Sequence, residues 1–265
     1  MEYLLFFLEA AAALALAAGV YFFLVTRGTL IFESLRSSKD GTAHIYWIYR
    51  NRFLIWLTDR PFIISAILLF NYRRLVDDLV RDLNPSLEGK SVLQSSCAFG
   101  DISQKIAAKC HREGAKRLVI SDLVATEIRH SRKKLAKAAT GQSCLFVREN
   151  AAALAYLDRS FDYVVIFFLF HELPLHLKYA ALKEAARVLK PGGKIVFGEF
   201  HKPGPWLLRA SGKLFFKVFE PYAREMWDGF DPVKVLNEDA ACKWEFSKKT
   251  YFGGNYQLFS AEKIS

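Results

Sequence analysis

Two His/Glu pairs follow apolar runs that have the composition of buried strands. His171 and Glu172 come after the run FDYVVIFF, while Glu199 and His201 alternate onto one face at the end of the next run. Imidazole and carboxylate groups can move a proton or bind a metal ion. Together with Asp101 they form an oxygen and nitrogen set that suits manganese, so we predict metal ligands or bases among these five residues. Alternatively, His171 and Glu172 cap the following helix, and Glu199 accepts hydrogen bonds from backbone amides.

Strands and helices alternate through the middle of the chain, which would bring those residues to one edge of a sheet. Predicted strands lie at Val92-Leu93, Arg117–Ser121, Cys144–Val147, Phe161–Phe168 and Lys194–Phe200, with helices over Ile102–Cys110, Thr126–Ala139 and Lys178–Leu189. The last helix is predicted to end in a turn at Lys190-Pro191-Gly192-Gly193. Two late runs, Lys243–Phe252 and Asn255–Ala261, flank Gly253-Gly254, which is a hairpin signal. The sequence therefore predicts an α/β fold with a doubly wound sheet and a C-terminal antiparallel hairpin. Such sheets bind ligands at the carboxyl ends of their strands.

Composition excludes several classes of protein. The chain has 265 residues, 52% of them hydrophobic and 24% charged, with a formal charge of +10, so it is neither disordered nor fibrous. Four scattered cysteines indicate neither a zinc site nor a disulfide framework. An anionic partner is expected from the charge. Membrane lipid explains that charge better than nucleic acid, because no nucleic-acid motif accompanies it, and no obligate protein partner is indicated.

The first residues predict a membrane anchor. Tyr3–Val25 is apolar apart from Glu9, and as a helix it would reach about 34 Å, enough for a bilayer core of about 30 Å. Basic residues follow this segment. Residues 1–30 are therefore predicted to span the membrane or to anchor the chain to it, with the catalytic domain in the cytoplasm. The membrane would be the inner membrane of a bacterium or of a mitochondrion. The alternative is a buried or surface-lying helix of a soluble protein.

Residues 31–88 combine aromatic and basic side chains. Trp47, Trp56 and Phe62 alternate with Arg50 and Arg60, a mixture suited to the lipid headgroup layer. Pro61 is predicted to separate two helices. This region is interpreted as membrane-interfacial or as a cap over the substrate, and residues 89–265 as the α/β catalytic domain.

Four stretches in that domain resemble class I S-adenosylmethionine (SAM)-dependent methyltransferases. They are VLQSSCAFGD, LVISDL, VRENAAALAYLDRSFDYVV and ARVLKPGGKIVFGEF, in the family's order and spacing. In the first stretch Gln94 replaces the usual acid, Ser96 and Ala98 replace two glycines, and Gly100 persists. The resemblance implies that Asp122 accepts ribose hydroxyls, although an acid there is often only a helix cap. The implied SAM-binding residues are Gln94, Ser96, Ala98, Gly100, Asp122, Leu123, Asn150 and Ala151.

Other segments resemble narrower families. EFHKP at 199–203 is similar to the EFSKP of the UbiE quinone methyltransferases, and YWIYRNRFLIW, FFLFHELP and TYFGGNYQ are similar to the RquA family of rhodoquinone biosynthesis proteins. The second resemblance implies exchange of a ring methoxy group of ubiquinone for an amino group, with SAM as the amino donor and manganese assisting. An isoprenoid quinone in the membrane would be the substrate. Tyr251 on the late hairpin would stack on the quinone or simply pack.

Two other hypotheses stay open. A SAM-dependent methyltransferase acting on a quinone or another apolar acceptor would need the same fold. A non-catalytic subunit that keeps the fold is motivated by Gln94, Ser96 and Ala98 in the cofactor loop. Direct SAM binding separates this subunit from the two enzymes.

Overall fold

A computed structural model describes residues 2–26, 55–56, 58–83, 86–137, 144–220 and 222–264. Its helices are α1 (Glu2–Thr26), α2 (Pro61–Ile67), α3 (Tyr72–Asp82), α4 (Ile102–Arg112), α5 (Ala125–Lys137), α6 (Leu175–Val188), α7 (Trp206–Phe219), α8 (Glu225–Asp228) and α9 (Pro232–Leu236), with a 3-10 helix over Phe170–Glu172. Its strands are β1 (Ser91–Ser95), β2 (Arg117–Asp122), β3 (Cys144–Arg148), β4 (Phe161–Phe167), β5 (Leu189–Phe200), β6 (Trp244–Tyr251) and β7 (Tyr256–Lys263).

These strands form one seven-stranded sheet in the order β3-β2-β1-β4-β5-β7-β6. The first five run parallel, and β7 lies antiparallel between β5 and β6. β1 and β4 are central, and nearly every side chain in them is buried, which explains their continuous apolar sequence. The predicted α/β sheet with a closing hairpin is confirmed. The order of β1 next to both β2 and β4 creates the switch point at which such sheets bind ligands.

Helix α3 joins the N-terminal region to this sheet. Its residues Leu75, Val76 and Leu79 are fully buried and recur at helical spacing, so one face packs against β5 and β7. Burial of each such side chain stabilises the fold by about 1.5–3 kcal/mol. The polar face carries Asp78, which accepts hydrogen bonds from Tyr251 Oη at 2.7 Å and from Lys249 Nζ at 2.5 Å. The last hairpin is therefore tied to α3.

One predicted turn belongs to a strand instead. The segment Lys190-Pro191-Gly192-Gly193 begins β5, because α6 ends at Val188 and extended backbone starts at Leu189. Gly192 has φ +73°, and the pairing of β4 with β5 shifts register between Phe161 and Tyr163. A bulge therefore accommodates the residues expected to form a free turn.

The N-terminal predictions have mixed outcomes. A helix forms over Glu2–Thr26, with the exposed carboxylate of Glu9 interrupting its apolar surface. Within the described ranges, no helix combines the length and apolarity needed to cross a bilayer, so the span predicted at 1–30 is not confirmed. Pro61 begins α2, as predicted. The rest of the predicted aromatic region, at 31–54, lies outside the described residues.

Candidate active site

The end of β1 and the loop after it carry two buried polar atoms that have no hydrogen-bond partner among the described residues. Gln94 Nε2 donates to the Ser96 carbonyl at 3.0 Å and to Ser103 Oγ at 2.8 Å, which fixes the side chain beneath the loop. Ser96 has φ +90°, a conformation that favours glycine, and it stands at one of the two positions where the resembled motif has glycine. Among the described residues, Gln94 Oε1 and Ser96 Oγ have no hydrogen-bond partner. Buried groups of this kind are normally satisfied, so the loop is suited to a polar ligand.

Asp122 ends β2 beside that loop, as predicted. Its Oδ2 accepts the Cys97 amide at 2.7 Å and its Oδ1 accepts the Val124 amide at 2.7 Å. Each carboxylate oxygen has a second lone pair, so the pair can still accept two hydroxyl groups of a ligand. Burial raises the pKa of Asp122 to about 6, against the effect of these amides. The side chain is therefore an anionic acceptor at pH 7 and loses that role in mild acid.

The other predicted cofactor residues lie near the ends of the same strands. Ala98 is half-buried in the β1 loop, and Leu123 is 40% exposed directly after Asp122. Asn150 and Ala151 follow β3, where Asn150 Oδ1 accepts the Ala152 amide at 3.0 Å. That amide oxygen has a second lone pair for a ligand. The sheet thus brings three loops to one edge, as the alternating pattern predicts.

Gly100 is fixed by residues from the N-terminal region that the sequence did not single out. Its amide donates to Asp59 Oδ1 at 2.7 Å, and a Cβ at Gly100 would lie 2.1 Å from the hydroxyl oxygen of Tyr72. That hydroxyl accepts the Asp101 amide at 2.6 Å and donates to Asp101 Oδ1 at 2.8 Å. Lys134 Nζ donates to Asp59 and to the Gly100 carbonyl. Residues before the sheet therefore hold the cofactor loop in place.

Glu127 in the first turn of α5 is a second residue that sequence reasoning missed. It is 3% exposed, and within the described part of the chain its Oε1 has no hydrogen-bond partner. Burial raises the pKa of Glu127 well above its ordinary value, and the charges of Asp122 and Asp59 raise it further. The charge of Glu172 contributes in the same direction. Glu127 is thus a buried acid close enough to Asp122, Asp59 and Glu172 to be affected by their charges.

His171 and Glu199 meet in the core at the ends of β4 and β5. Nδ1 of His171 lies 3.1 Å from Glu199 Oε1, and its Nε2 lies 3.7 Å from Glu220 Oε2. Burial alone would lower the pKa of His171, but the charges of Glu199 and Glu220 outweigh burial and raise it to about 10. His171 is thus an imidazolium at neutral pH. It can donate a hydrogen bond or a proton but cannot act as a base.

The other predicted catalytic residues have separate partners. The ring of His201 is held by the Gly254 carbonyl, 2.7 Å from its Nδ1. Burial lowers the pKa of His201, so it is a neutral imidazole at pH 7. Glu172 is half-buried beside His171, and the Tyr251 hydroxyl donates to Asp78. His201 is therefore able to accept a proton.

The predicted manganese site is not confirmed. No group of three His, Cys, Asp or Glu side chains in the described ranges has the arrangement needed to hold a metal ion. Three of the five candidate residues, Asp101, His171 and His201, instead form hydrogen bonds with separate partners. Asp101 bonds to Tyr72, His171 pairs with Glu199, and His201 bonds to Gly254. A protonated His171 also lacks the lone pair that a metal would need.

Aromatic rings enclose the His171 side chain. The Phe168 ring centre lies 5.9 Å from that of His171 and 5.3 Å from that of Phe200, both edge to face. Tyr256 lies 6.1 Å from Phe168 and 5.8 Å from Phe200. Phe168 adopts φ +52°, which is strained for a bulky residue and is typical of functional sites. These three rings, Phe168, Phe200 and Tyr256, form an aromatic wall around a buried cationic donor, and Phe168 is partly exposed.

The sheet order and its ligand edge define a class I SAM-dependent methyltransferase fold. Solved structures share it: a SAM-dependent methyltransferase from Aquifex aeolicus (TM-score 0.53, 18% identity, 81% of this chain and 99% of that one) and the N-methyltransferase NodS from Bradyrhizobium japonicum WM9 in complex with S-adenosyl-L-homocysteine (TM-score 0.50, 16% identity, 89% and 99%). A model of the ubiE/COQ5 methyltransferase family matches residues 60–240. This chain belongs to that family.

A curated relative supports the same membership. The ubiquinone/menaquinone biosynthesis C-methyltransferase UbiE of Rickettsia bellii (strain OSU 85-389) is 33% identical over 227 residues, which cover 78% of this chain and 90% of that protein. Its name specifies methyl transfer to carbon and not amination. SAM also fits the residues present here: the acceptor pair of Asp122 and the unpaired Ser96 Oγ and Gln94 Oε1 lie at the edge where this fold binds its cofactor.

Proposed function

We propose that this protein uses SAM to modify the head-group ring of an isoprenoid quinone. One observation carries the proposal: the aromatic wall and the His171–Glu199 pair lie at the same carboxyl edge of the sheet as Asp122. SAM would be held by Asp122, Ser96 and Gln94, and when bound it supplies an activated group for transfer. A quinone ring would lie against Phe168 and Phe200 with a carbonyl oxygen toward His171.

The first candidate reaction is methyl transfer to a ring carbon, the activity for which the bacterial relative is named. A methyl group replaces a ring hydrogen, and that hydrogen leaves as a proton. His171 is already protonated and cannot accept it. The neutral imidazole of His201 or the carboxylate of Glu172 would take the proton.

Exchange of a ring methoxy group for an amino group is a second candidate, and the charge of His171 favours it. Addition of a nitrogen nucleophile to a quinone carbon requires a polarised carbonyl, and a buried imidazolium is a strong hydrogen-bond donor. The methoxy group would then leave as methanol, with a proton that His171 can donate. Water would cleave the bond between the nitrogen and its donor carbon, which leaves an amino group on the ring and a hydroxyl group on that carbon. One of the segments similar to rhodoquinone biosynthesis proteins, FFLFHELP, contains His171.

Isotope transfer from SAM distinguishes these reactions. Purified protein is incubated with ubiquinone, or with a quinol that has an open ring position, and with SAM labelled in the methyl carbon or in the amino nitrogen. Mass spectrometry of the lipid extract then reads the product. Labelled carbon in the quinone supports methyl transfer, whereas labelled nitrogen with loss of a methoxy group supports amination. Unlabelled quinone, despite measured SAM binding, overturns the proposal.

A matched pair of variants tests the assigned site. His171→Gln removes the cationic donor from the core, whereas His176→Gln changes an exposed histidine on α6. We expect about a hundredfold loss of product for His171→Gln, as for other preorganised donors, and no loss for His176→Gln. Equal activity of the two variants would remove His171 from the chemistry.

Membrane association is part of the proposal, because an isoprenoid quinone resides in the bilayer. Helix α1 exposes Phe6, Phe7, Leu14 and Leu16, and each side chain is about two-thirds or more accessible. Large exposed apolar surfaces of this kind mark membrane or protein contacts. Deletion of residues 1–30 would then release the protein from the membrane fraction, and unchanged membrane binding of that variant would refute a role for α1.

A further inference from the structure

A basic groove lies on the exposed side of α5, next to the cofactor loop and apart from the residues assigned to the quinone. It encloses about 710 Å³ between α5 and the residues just before α2. Its walls carry Trp56, Arg60, Arg129, Lys133 and Lys137. All five side chains are exposed. The groove is therefore accessible, and five of its eleven lining residues are lysine or arginine.

The positive charge of these walls is not neutralised from within. Among the described residues, Arg129, Lys133 and Lys137 form no ion pair, and Arg60 lies over the Trp56 ring at 4.2 Å. The carboxylate that lines the groove, that of Asp59, is already bonded to Lys134 at 2.8 Å. Within the described ranges the groove thus presents Arg129, Lys133 and Lys137 without an ion pair. A concave site of this kind attracts a multiply charged anion, and phosphate oxygens suit such a set.

Exposed aromatic side chains occur on the groove wall and in the helix that starts there. Trp56 is 49% exposed on the wall, and further exposed aromatic groups lie on and just after α2, which starts at the groove residue Pro61. Phe62 is 74% exposed and Phe70 is 70% exposed. A soluble small phosphate would make no use of these rings. Basic residues beside exposed aromatic ones are typical of surfaces that lie in the lipid headgroup layer.

We propose that the basic groove binds the phosphate group of an anionic phospholipid at a membrane surface. Arg129, Lys133 and Lys137 would contact the phosphate while Trp56 and Phe62 enter the headgroup layer. The inference does not depend on the proposed function, because lipid binding requires neither SAM nor a quinone.

The floor of the groove is continuous with the cofactor loop. Asp59 accepts the Gly100 amide, and His130 Nε2 lies 2.7 Å from Asp59 Oδ2. Lys134 Nζ donates to the Gly100 carbonyl at 2.6 Å. A membrane bound at the groove would therefore lie next to the loop that holds the cofactor. This placement brings the active site close to a substrate dissolved in the bilayer.

Vesicle flotation of the full chain tests this site. Binding is compared between vesicles of phosphatidylcholine alone and vesicles in which one lipid in three is phosphatidylglycerol. Lys133→Glu with Lys137→Glu reverses two groove charges. The matched control, Lys116→Glu with Lys183→Glu, makes the same change in net charge at exposed positions outside the groove. Circular dichroism and melting curves confirm that both variants fold.

We expect the groove variant to lose at least about 25-fold in affinity for the anionic vesicles, because loss of each basic residue near such a surface costs about fivefold and the two new carboxylates add repulsion. The control should lose less than threefold, and neutral vesicles should not discriminate between the proteins. Equal losses in the two variants would overturn the proposal, because the effect would then follow net charge alone. Calorimetric binding of glycerol phosphate by a protein that shows no preference for anionic vesicles would also overturn it, in favour of a soluble phosphate ligand.

Discussion

Removal of the His171 side chain should destabilise the protein and should do so in a pH-dependent way. In His171→Gln the buried carboxylate of Glu199 loses its cationic partner and keeps only the amides of His171 and Phe200. Breaking a buried ion pair in this way costs about 3–5 kcal/mol. The pKa of His171 is about 10 in the folded protein, whereas an ordinary histidine, as in the unfolded chain, has a pKa of 6.5. The stabilisation is therefore fully present below pH 6.5 and is lost as the pH rises through 10.

Urea denaturation at several pH values measures this effect. We expect the free energy of unfolding of His171→Gln to lie about 3–5 kcal/mol below that of the unmodified protein at pH 7, and the difference to narrow steadily toward pH 10. His176→Gln, at an exposed site, should change the free energy by less than about 0.5 kcal/mol. A difference below about 1 kcal/mol at pH 7, or one that does not vary with pH, would refute the assignment of a buried imidazolium.

Three further predictions concern the cofactor residue Asp122, the loop residue Gly100 and the buried Lys178 of α6. Asp122→Asn should weaken SAM binding by about 1–3 kcal/mol in calorimetry, and the affinity of the unmodified protein should fall below about pH 6 as Asp122 gains a proton. Gly100→Ala should destabilise the fold by more than about 2 kcal/mol in thermal melting, because the new Cβ would overlap the Tyr72 hydroxyl. The control Gly89→Ala should cost about 1 kcal/mol, because Gly89 also has a positive φ of +66° but no atom lies near the new Cβ. Lys178→Met should lower the urea midpoint, because the fully buried Lys178 donates to Glu225 and to two backbone carbonyls; an unchanged midpoint would show that these bonds contribute no net stability.

Much of the fold could be predicted because its signals are local. The run FDYVVIFF has the composition of a strand buried on both faces, and it forms β4. Gly253-Gly254 marked the hairpin, and both glycines have positive φ there. The position of Asp122 at a strand end was also predictable, because strand ends are set by the same apolar pattern. The prediction of a turn at Lys190–Gly193 was wrong because a bulge can accommodate Pro and Gly within an extended strand.

The parts of the site that could not be predicted depend on contacts distant in sequence. Asp59 reaches Gly100 across 41 positions, and Tyr72 reaches Asp101 across 29. No periodicity or spacing rule relates such residues. Glu127 looked like one charge of a polar helix, and its burial follows only from how α5 packs beside the β1 loop. The charge state of His171 likewise required the distance to Glu199, which adjacency in the sequence does not give.

Calorimetric titration of SAM into the folded protein tests the central claim most directly. The account predicts binding at one site per chain, displacement by S-adenosyl-L-homocysteine, and a loss of affinity in Asp122→Asn but not in Lys116→Glu, which lies at the opposite end of β2. Absence of SAM binding by protein that is folded by circular dichroism would contradict the account. The chain would then keep the methyltransferase fold without its chemistry, as the altered residues Gln94, Ser96 and Ala98 of the β1 loop would allow.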